Sequence, residues 1–377
     1  MIIKIIFLPI GRGVIIVRIG IVTITNNGPN YGNQLQNFAV LKFLEEIGIS
    51  NSETLYNVEG AEYWCSFAHK IKNYVYVILK KGDYKKRLKE LRFDSFGRKY
   101  LRYTKPIKGN VPVKLVEKYD FFVCGSDQIW NPTFSCNNRH LSYTFLGFAP
   151  ENKRISFAAS IGISKISDQY IDEFVKGVRG FKNISVREHE GADLIKELTG
   201  REATVLLDPT MLIDKEEWSK IMKKPKGLPE KYILCYFLGN ISAQRKKELD
   251  SISQIHNLGI VYLNTDDSNE FQSVGPREFL YMLAHADLIC TDSFHGSAFS
   301  INFQVPFIVY DREDRAEKMN SRLNTLLKKF ELENRKRENI ELKNALDIDY
   351  SKSQKVLLNE RNIAKDFLTS AFQNERR

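Results

Sequence analysis

Residues 286–310 of this 377-residue chain, ADLICTDSFHGSAFSINFQVPFIVY, hold the residue types and spacing best suited to chemistry. An apolar run ends at Asp292 and a second one of helical character starts at Ser297, which predicts a strand, a tight turn and a helix. His295 in that turn would lie beside the free N–H groups that begin the helix, and such groups attract anions. Because an imidazole titrates near neutral pH, the segment suits acid–base chemistry on a phosphorylated small molecule. The alternative is that His295 caps the helix or packs in the turn.

Arg187 is a second candidate, because it stands between a short apolar strand pattern and a helical one. Its guanidinium can hold a carboxylate or phosphate through two parallel hydrogen bonds. The alternative is a salt bridge to Glu188 or Glu190. Asp292, three residues before His295, either orients the imidazole or caps the helix that follows.

Strand-like and helix-like segments alternate along the chain and must position these residues. Residues 19–25, a glycine-containing loop and a helical stripe over 33–47 form an opening unit typical of a doubly wound sheet. Further strands are predicted at 119–124, 154–159, 184–186, 204–207, 232–238 and 259–263, and further helices at 190–198, 242–256, 276–284 and 351–372. We therefore expect an α/β fold with parallel sheets, and the length favours two domains.

Polar clusters follow five of the predicted strands. They lie at 26–33, 125–131, 187–188, 208–210 and 292–296. Because ligands of parallel sheets bind beyond the carboxyl ends of the strands, this pattern predicts a ligand cleft.

The first cluster matches neither GxxxxGK[ST] nor GxGxxG, which disfavours ATP hydrolysis and a dinucleotide cofactor. Asn30, Tyr31 and Asn33 offer neutral donors and acceptors that suit sugar hydroxyls, unless they form an ordinary turn and helix cap. In the later clusters, Asp127 can orient a basic partner, accept a hydroxyl proton or cap a helix. Trp130 either stacks on a sugar or is buried.

Net charge is +10, and its excess is concentrated in residues 80–108, which hold 12 Lys or Arg against 3 Asp or Glu. Interleaved apolar residues predict one or two amphipathic helices with a basic face. Either this face is solvated, or it contacts membrane lipid, a lipid diphosphate or nucleic acid.

Several classes of protein are disfavoured. The five cysteines and six histidines form no CxxC or HxxxH pair, so neither a zinc site nor a redox dithiol is expected. Charges and a proline interrupt the apolar N-terminus, which predicts no membrane helix and no secretory signal; residues 1–17 stay open as an extra strand or an added leader. We expect a cytoplasmic protein, peripheral at the inner face of the membrane if the basic block binds lipid.

Six segments in order, spanning residues 20–308, resemble the polysaccharide pyruvyl transferase family. They are GIVTITNNGPNYGNQLQNFAVLKFLEEIG, FFVCGSDQIWNP, KRISFAASIG, ISVREHEGADLIKELTG, VLLDPTMLIDKEEW and TDSFHGSAFSINFQVPFI, of which GSDQIWNP and DSFHG are the most specific. The resemblance implies two Rossmann-like domains facing a cleft, as in B-type glycosyltransferases. It also implies phosphoenolpyruvate as donor, a sugar as acceptor and a cyclic pyruvyl ketal as product, with phosphate released and no cofactor.

The resemblance associates His295 and Arg187 with the donor. We expect His295 to act as general acid, Arg187 and the helix start at Gly296 to hold anionic groups, and both side chains to meet around one donor. Asp292 is assigned to the catalytic group as well. The expected substrate-binding residues are Ser293, Phe294, Gly296, Ser297, Asn30, Tyr31, Asn33, Gly125, Ser126, Asp127, Gln128, Trp130 and Asp208, although Asp208 before Pro209 is more typical of a structural role.

The expected domains are 1–180, on the acceptor side and containing the basic block, 181–350 on the donor side, and a C-terminal helix at 351–377. The acceptor is a sugar or a lipid-linked oligosaccharide, and no nucleic-acid partner is expected. Two alternatives stay open: a nucleotide-sugar glycosyltransferase, and a non-catalytic protein whose basic block binds membrane or nucleic acid.

Overall fold

A computed structural model of the chain describes residues 17–25, 28–58, 67–134, 141–263, 270–313 and 320–374. Contacts divide them into two compact units: the first takes the described parts of Met1–Tyr63, Gly97–Leu212 and Arg361–Arg377, and the second takes those of Trp64–Phe96 and Ile213–Glu360. The main boundary lies at residue 212 rather than at the expected residue 180. The strands just beyond residue 180 bond to the first sheet, as the Ser156 N–H shows by donating to the Asn183 carbonyl.

Ten strands form the sheets. They are β1 (Arg18–Val22), β2 (Asn51–Thr54), β3 (Phe121–Cys124), β4 (Arg154–Ser156), β5 (Ser185–Val186), β6 (Thr204–Val205), β7 (Tyr232–Tyr236), β8 (Gly259–Leu263), β9 (Leu288–Thr291) and β10 (Phe307–Val309), counted over the described residues.

Helices connect them. Those within the described residues are α1 (Tyr31–Glu46), α2 (Phe67–Ile78), α3 (Tyr84–Tyr100), α4 (Val113–Lys118), α5 (Leu141–Thr144), α6 (Asp168–Arg179), α7 (His189–Thr199), α8 (Pro209–Leu212), α9 (Lys215–Ser219), α10 (Ala243–His256), α11 (Pro276–Ala284), α12 (Phe294–Phe303), α13 (Asn320–Lys329) and α14 (Ser351–Asn374). The last of them contributes residues to both units, whereas a separate C-terminal helix was expected.

Both units contain a four-stranded parallel sheet, which confirms the predicted α/β class. The orders are β2-β1-β3-β4 and β10-β9-β7-β8. In each, the chain starts at an inner strand, moves to its outer neighbour, and crosses to the other side of the starting strand. The short parallel pair β5-β6 extends the first sheet through bridges from Ile155 to Asn183 and from Ala159 to Val186.

Continuous apolar runs build the two cores. Every residue of β3 (FFVC) and of β7 (YILCY) is buried, as expected for strands covered on both faces. Cys124, Cys235 and Cys290 are buried free thiols within these cores, where they pack as small apolar residues.

The basic block differs from its prediction, because helix α3 ends at Tyr100. Residues 101–108 continue as extended chain beside β2, where the Thr54 N–H donates to the Arg102 carbonyl at 2.7 Å. Within the described residues, no helix combines the length and the apolar character needed to cross a bilayer. The interpretations of residues 1–17 lie almost wholly outside the described part of the chain.

Candidate active site

The carboxyl ends of β1 and β3 form the switch point of the first sheet, the position where ligands bind in such folds. Gln36 of α1 spans it: its amide nitrogen donates to the Thr23 hydroxyl, and its amide oxygen accepts from the Ser126 N–H at 3.0 Å. Gly125 is required next to it, because a Cβ there would lie 2.0 Å from the Phe157 carbonyl oxygen. Buried protein groups therefore form the floor of this switch point.

Around Arg187, the ends of β3, β5 and β6 bring four ionisable side chains together. Nη1 donates to Asp208 Oδ2 at 2.6 Å, Nη2 lies 3.5 Å from Asp127 Oδ1, and Nε lies 3.9 Å from Glu188 Oε2. Only 5% of Arg187 is exposed. One guanidinium is thus surrounded by three carboxylates with little access for water.

The charges in this cluster sum to −2 when all four groups are ionised, since three carboxylates oppose one cation. Burial acts to lower the pKa of Arg187, but the charges of Asp208, Asp127 and Glu188 outweigh it and raise that pKa above its ordinary value. The salt-bridge alternative for Arg187 is therefore observed, with Asp208 rather than Glu190 as its tightest partner. Its role in holding the donor stays a prediction.

Asp208 is saturated by protein donors. Its Oδ1 accepts from the N–H and hydroxyl of Thr210 at 3.0 and 2.7 Å, and the Ser126 hydroxyl lies 3.1 Å from Oδ2. These bonds tie the turn before α8 to the end of β3. They agree with the structural role that its position before Pro209 suggested.

Glu188 is a member of the cluster that sequence reasoning missed as a site residue. Its Oε1 accepts from the Ser160 hydroxyl at 3.0 Å and from the N–H groups of Ile161 and Gly162, both at 2.8 Å. No local signal marks it, because its partners lie 26 to 28 residues earlier in the chain.

The remaining predicted residues of the first unit have modest surroundings. Asn30 caps α1 by accepting from the Asn33 N–H at 3.1 Å, so the helix-cap alternative is observed there. Tyr31 and Asn33 are buried, with 3% and 5% exposed, and Gln128 accepts from the Asn131 amide at 2.8 Å.

The structure corrects the prediction that Trp130 binds a sugar. Its side chain is fully buried, its indole N–H donates to the Thr144 carbonyl at 3.2 Å, and its ring centroid lies 5.0 Å from that of Phe145. The indole fills the core beside β3, and it presents no face for a sugar.

His295 lies in the first turn of α12, directly after the carboxyl end of β9 in the second unit. Within 291–303, a stretch described throughout, it is the one residue that is not buried. Its ring meets Phe294 edge to face, with centroids 5.5 Å apart. His295 is therefore the least buried residue at the start of this helix, while its Nε2 is shielded from solvent.

The cap of α12 occupies two amides that were expected to hold an anion. The Ser293 hydroxyl accepts from the Gly296 N–H at 3.4 Å, and the Ser297 N–H donates to the Ser293 carbonyl at 3.1 Å. A Cβ at Gly296 would lie 2.5 Å from Thr291 Oγ1. The glycine of the SFHG segment thus allows α12 to pack closely on the end of β9.

Asp292 has a different role from either of the two predicted ones. Its carboxylate accepts from the N–H groups of Leu238 and Gly239 at 2.7 and 3.3 Å, and the helix cap is Ser293. Asp292 therefore spans the switch point between β7 and β9, as Gln36 does in the first sheet. Burial raises its pKa, against the hydrogen bonds from the two backbone amides.

Arg245 is a cation at this edge that sequence reasoning passed over. Its guanidinium lies over the rings of Phe237 and Tyr310, 5.2 and 5.0 Å from their centroids, and Nη2 donates to the Asp311 carbonyl at 2.8 Å. The Arg245 charge also acts to lower the pKa of Asp292. Sequence patterns offered little indication that Arg245 belongs to the site, because this residue lies inside helix α10 rather than in a polar cluster at a strand end.

The predicted residues fall into two groups. The first unit holds Asn30, Tyr31, Asn33, Gly125, Ser126, Asp127, Gln128, Arg187 and Asp208, and the second holds Asp292, Ser293, Phe294, His295, Gly296 and Ser297. Arg187 and His295 belong to different units, and their meeting around one donor stays a prediction. No cluster that could hold a metal ion occurs among the described histidine, cysteine, aspartate and glutamate side chains.

Comparison with known proteins gives a family. The profile of the family described as "Polysaccharide pyruvyl transferase" matches residues 30–314. No curated protein matches the chain.

Solved structures give a more distant likeness. A putative UDP-N-acetylglucosamine 2-epimerase from Listeria monocytogenes is similar at 11% identity and a TM-score of 0.45, over 94% of this chain and 90% of that one. The UDP-GlcNAc 2-epimerase of Methanocaldococcus jannaschii is similar at 14% identity and a TM-score of 0.44, over 91% of this chain and 99% of that one.

Proposed function

Since this chain belongs to the polysaccharide pyruvyl transferase family, we propose that it transfers the pyruvyl group of phosphoenolpyruvate to a sugar of a cell-surface glycan or its precursor. Two hydroxyls of the sugar become bridged by a cyclic ketal, and phosphate leaves. The observation that carries the proposal is the position of His295, a partly exposed residue at the carboxyl end of a parallel strand, where ligands of this fold class bind.

The chemistry needs one proton donor and two hydroxyls. The protonated imidazole of His295 gives its proton to the methylene carbon of the donor, which becomes a methyl group and leaves a cation-like neighbouring carbon. The first sugar hydroxyl adds to that carbon and returns a proton to the His295 imidazole. The second hydroxyl then displaces the phosphate, which takes the proton of that hydroxyl as it leaves, and the ring of the ketal closes.

The donor's carboxylate and phosphate need cations. Arg245 is proposed for this purpose in the second unit, because its charge acts on Asp292. Its guanidinium is already oriented by Phe237, Tyr310 and the Asp311 carbonyl, so that little side-chain freedom is lost on binding. Arg187 is proposed as the donor-binding cation of the first unit, held in place by Asp208 until the donor arrives.

The test measures phosphate release from phosphoenolpyruvate in the presence of pyranosides that carry different pairs of free hydroxyls. His295→Ala should lower turnover by at least about a hundredfold, since general acid catalysis contributes a factor of about 10²–10⁴. The matched control is His285→Ala, because His285 is an exposed histidine of the same unit stacked on Tyr281, and it should keep full activity.

Two outcomes would overturn the proposal. Full phosphate release by His295→Ala would remove the general acid. Nucleotide release from a sugar nucleotide, with phosphoenolpyruvate left intact, would instead identify a glycosyltransferase.

A further inference from the structure

Helix α2 and the turn after it present apolar side chains to solvent. The exposed fractions are 48% for Ile71, 48% for Tyr74, 45% for Val75, 77% for Ile78 and 55% for Leu79. Ten large hydrophobic side chains are exposed in the described part of the chain, and half of them lie within residues 71–79. Single exposed apolar residues are ordinary, but a concentration of this kind marks an interaction surface.

The opposite face of α2 is polar and buried against α3. The Asn73 amide donates to Glu90 Oε2 at 2.7 Å, His69 Nε2 lies 3.2 Å from the same oxygen, and Arg87 Nη1 donates to Asn73 Oδ1 at 2.6 Å. Lys70 also pairs with Asp94 of α3 at 2.6 Å. The helix is thus held by its polar side, the reverse of a helix that packs on an apolar core.

The exposed apolar residues form one stripe. With about 100° of rotation per residue, Ile71, Tyr74, Val75 and Ile78 fall within an arc of about 100° centred away from Asn73. This width is that of the apolar face of an amphipathic helix. The surface formed by Ile71, Tyr74, Val75, Ile78 and Leu79 is called the α2 stripe below.

Cations border the α2 stripe. Lys72 is exposed at its side, and Lys80 and Lys81 are exposed directly beyond its end. They open the 80–108 block, with 12 basic against 3 acidic residues. A helix whose apolar face is flanked by lysines matches the interface of an anionic bilayer. The apolar side chains can reach the acyl chains while the lysines contact the lipid phosphates.

We propose that the α2 stripe docks the protein on an anionic lipid bilayer. Its apolar side chains enter the boundary between headgroups and acyl chains, while Lys72, Lys80 and Lys81 contact lipid phosphates. A second copy of the chain is the poorer occupant, because it would bring two basic blocks against each other. A sugar acceptor carried on a lipid would then be met at the surface where it resides.

The test is sedimentation of the full-length protein with vesicles of phosphatidylcholine, alone or with phosphatidylglycerol. We expect binding to the anionic vesicles only, weakened by high salt because exposed charges are screened. The double variant Ile78→Ser/Leu79→Ser should lower the partition coefficient by about tenfold or more, since two large apolar side chains no longer enter the interface. Lys80→Glu/Lys81→Glu should also lower it.

The matched control is Leu358→Ser, which removes an exposed leucine (63%) from helix α14 and should leave vesicle binding unchanged. All these variants alter exposed residues, so circular dichroism should show an intact fold. Phosphate release from phosphoenolpyruvate in the presence of soluble acceptors should not change, which separates this surface from the proposed active site.

Equal binding of neutral and anionic vesicles, or of the double variant and the parent, would overturn the proposal. So would light scattering that shows a dimer which the double variant dissociates, with no vesicle binding by the parent. That result would identify a second copy as the occupant.

Discussion

Replacing Arg187 by Ala tests whether the charged cluster at the ends of β3, β5 and β6 stabilises the first unit as one network. The substitution removes the guanidinium that contacts Asp208, Asp127 and Glu188, and leaves three buried carboxylates beside each other. The three carboxylates stay shielded from water unless the surrounding residues rearrange, since Asp208 is 1% exposed, Asp127 8% and Glu188 2%.

The expected loss follows from this burial. Removing one partner of a buried ion pair costs about 3–5 kcal/mol, because the remaining charge keeps its desolvation penalty. With a urea slope of about 2 kcal/mol per molar, such a loss lowers the unfolding midpoint by about 2 M. Asp208→Asn should add little to Arg187→Ala, with a coupling of about 1–3 kcal/mol between them.

The assay is urea unfolding followed by tryptophan emission. Trp130 is fully buried in the first unit, so its signal reports this unit once Trp64 and Trp218 are replaced by Phe. Lys196→Ala is the matched control, because it removes a cation paired with Glu202 at the exposed surface of the same unit.

A urea midpoint for Arg187→Ala equal to that of Lys196→Ala would refute the reasoning. Arg187 would then be a donor-binding residue that does not stabilise the first unit. Additive effects of Arg187→Ala and Asp208→Asn would show that the 2.6 Å contact between them carries no coupling.

Two further changes test the second unit and the basic helix. Gly296→Ala should lower the free energy of unfolding by about 1–3 kcal/mol through overpacking, because its Cβ would lie 2.5 Å from Thr291 Oγ1. The control is Gly259→Ala, where the nearest neighbour of the added Cβ is at 3.4 Å. Equal urea midpoints for the two variants would contradict the close-packing argument. Burial lowers the pKa of Lys89 from 10.5 to about 8, so the folded state binds fewer protons between these values and stability rises with pH across that window. Lys89→Met should therefore stabilise the protein by about 1–3 kcal/mol at pH 7, with the gain lost above about pH 10. An equal gain from Lys86→Met, which alters an exposed lysine of the same helix, or a gain independent of pH would contradict the desolvation of the partly buried Lys89.

Local sequence patterns correctly predicted the helices and strands whose apolar residues recur with the spacing of a single type of secondary structure. The helix at 276–284 and the strand at 259–263 have the bounds that their patterns indicated. Strand β2 was not predicted, because its residues NSET are polar, and its place is set by bonds to distant chain. The Thr54 hydroxyl, for example, donates to Asn37 at 2.7 Å.

Positions of the candidate site were predictable, but their partners were not. Arg187 was correctly placed at a strand end, whereas its pairing with Asp208 depends on β5 and β6 being neighbours in one sheet. Trp130 illustrates the same limit, because only the packing of Phe145 and Phe181 around it decides that the indole is buried.

The order of residue types along the chain determined by itself the alternation of strands and helices, the family, and the polar segments that stand at strand ends. Only the tertiary structure decided which side chains neutralise Arg187, that Asp292 ties β9 to β7, and that the apolar side of α2 faces solvent. The physical reason is that sequence spacing sets which residues share a face of a helix or strand. What covers that face depends on contacts between segments far apart in the chain.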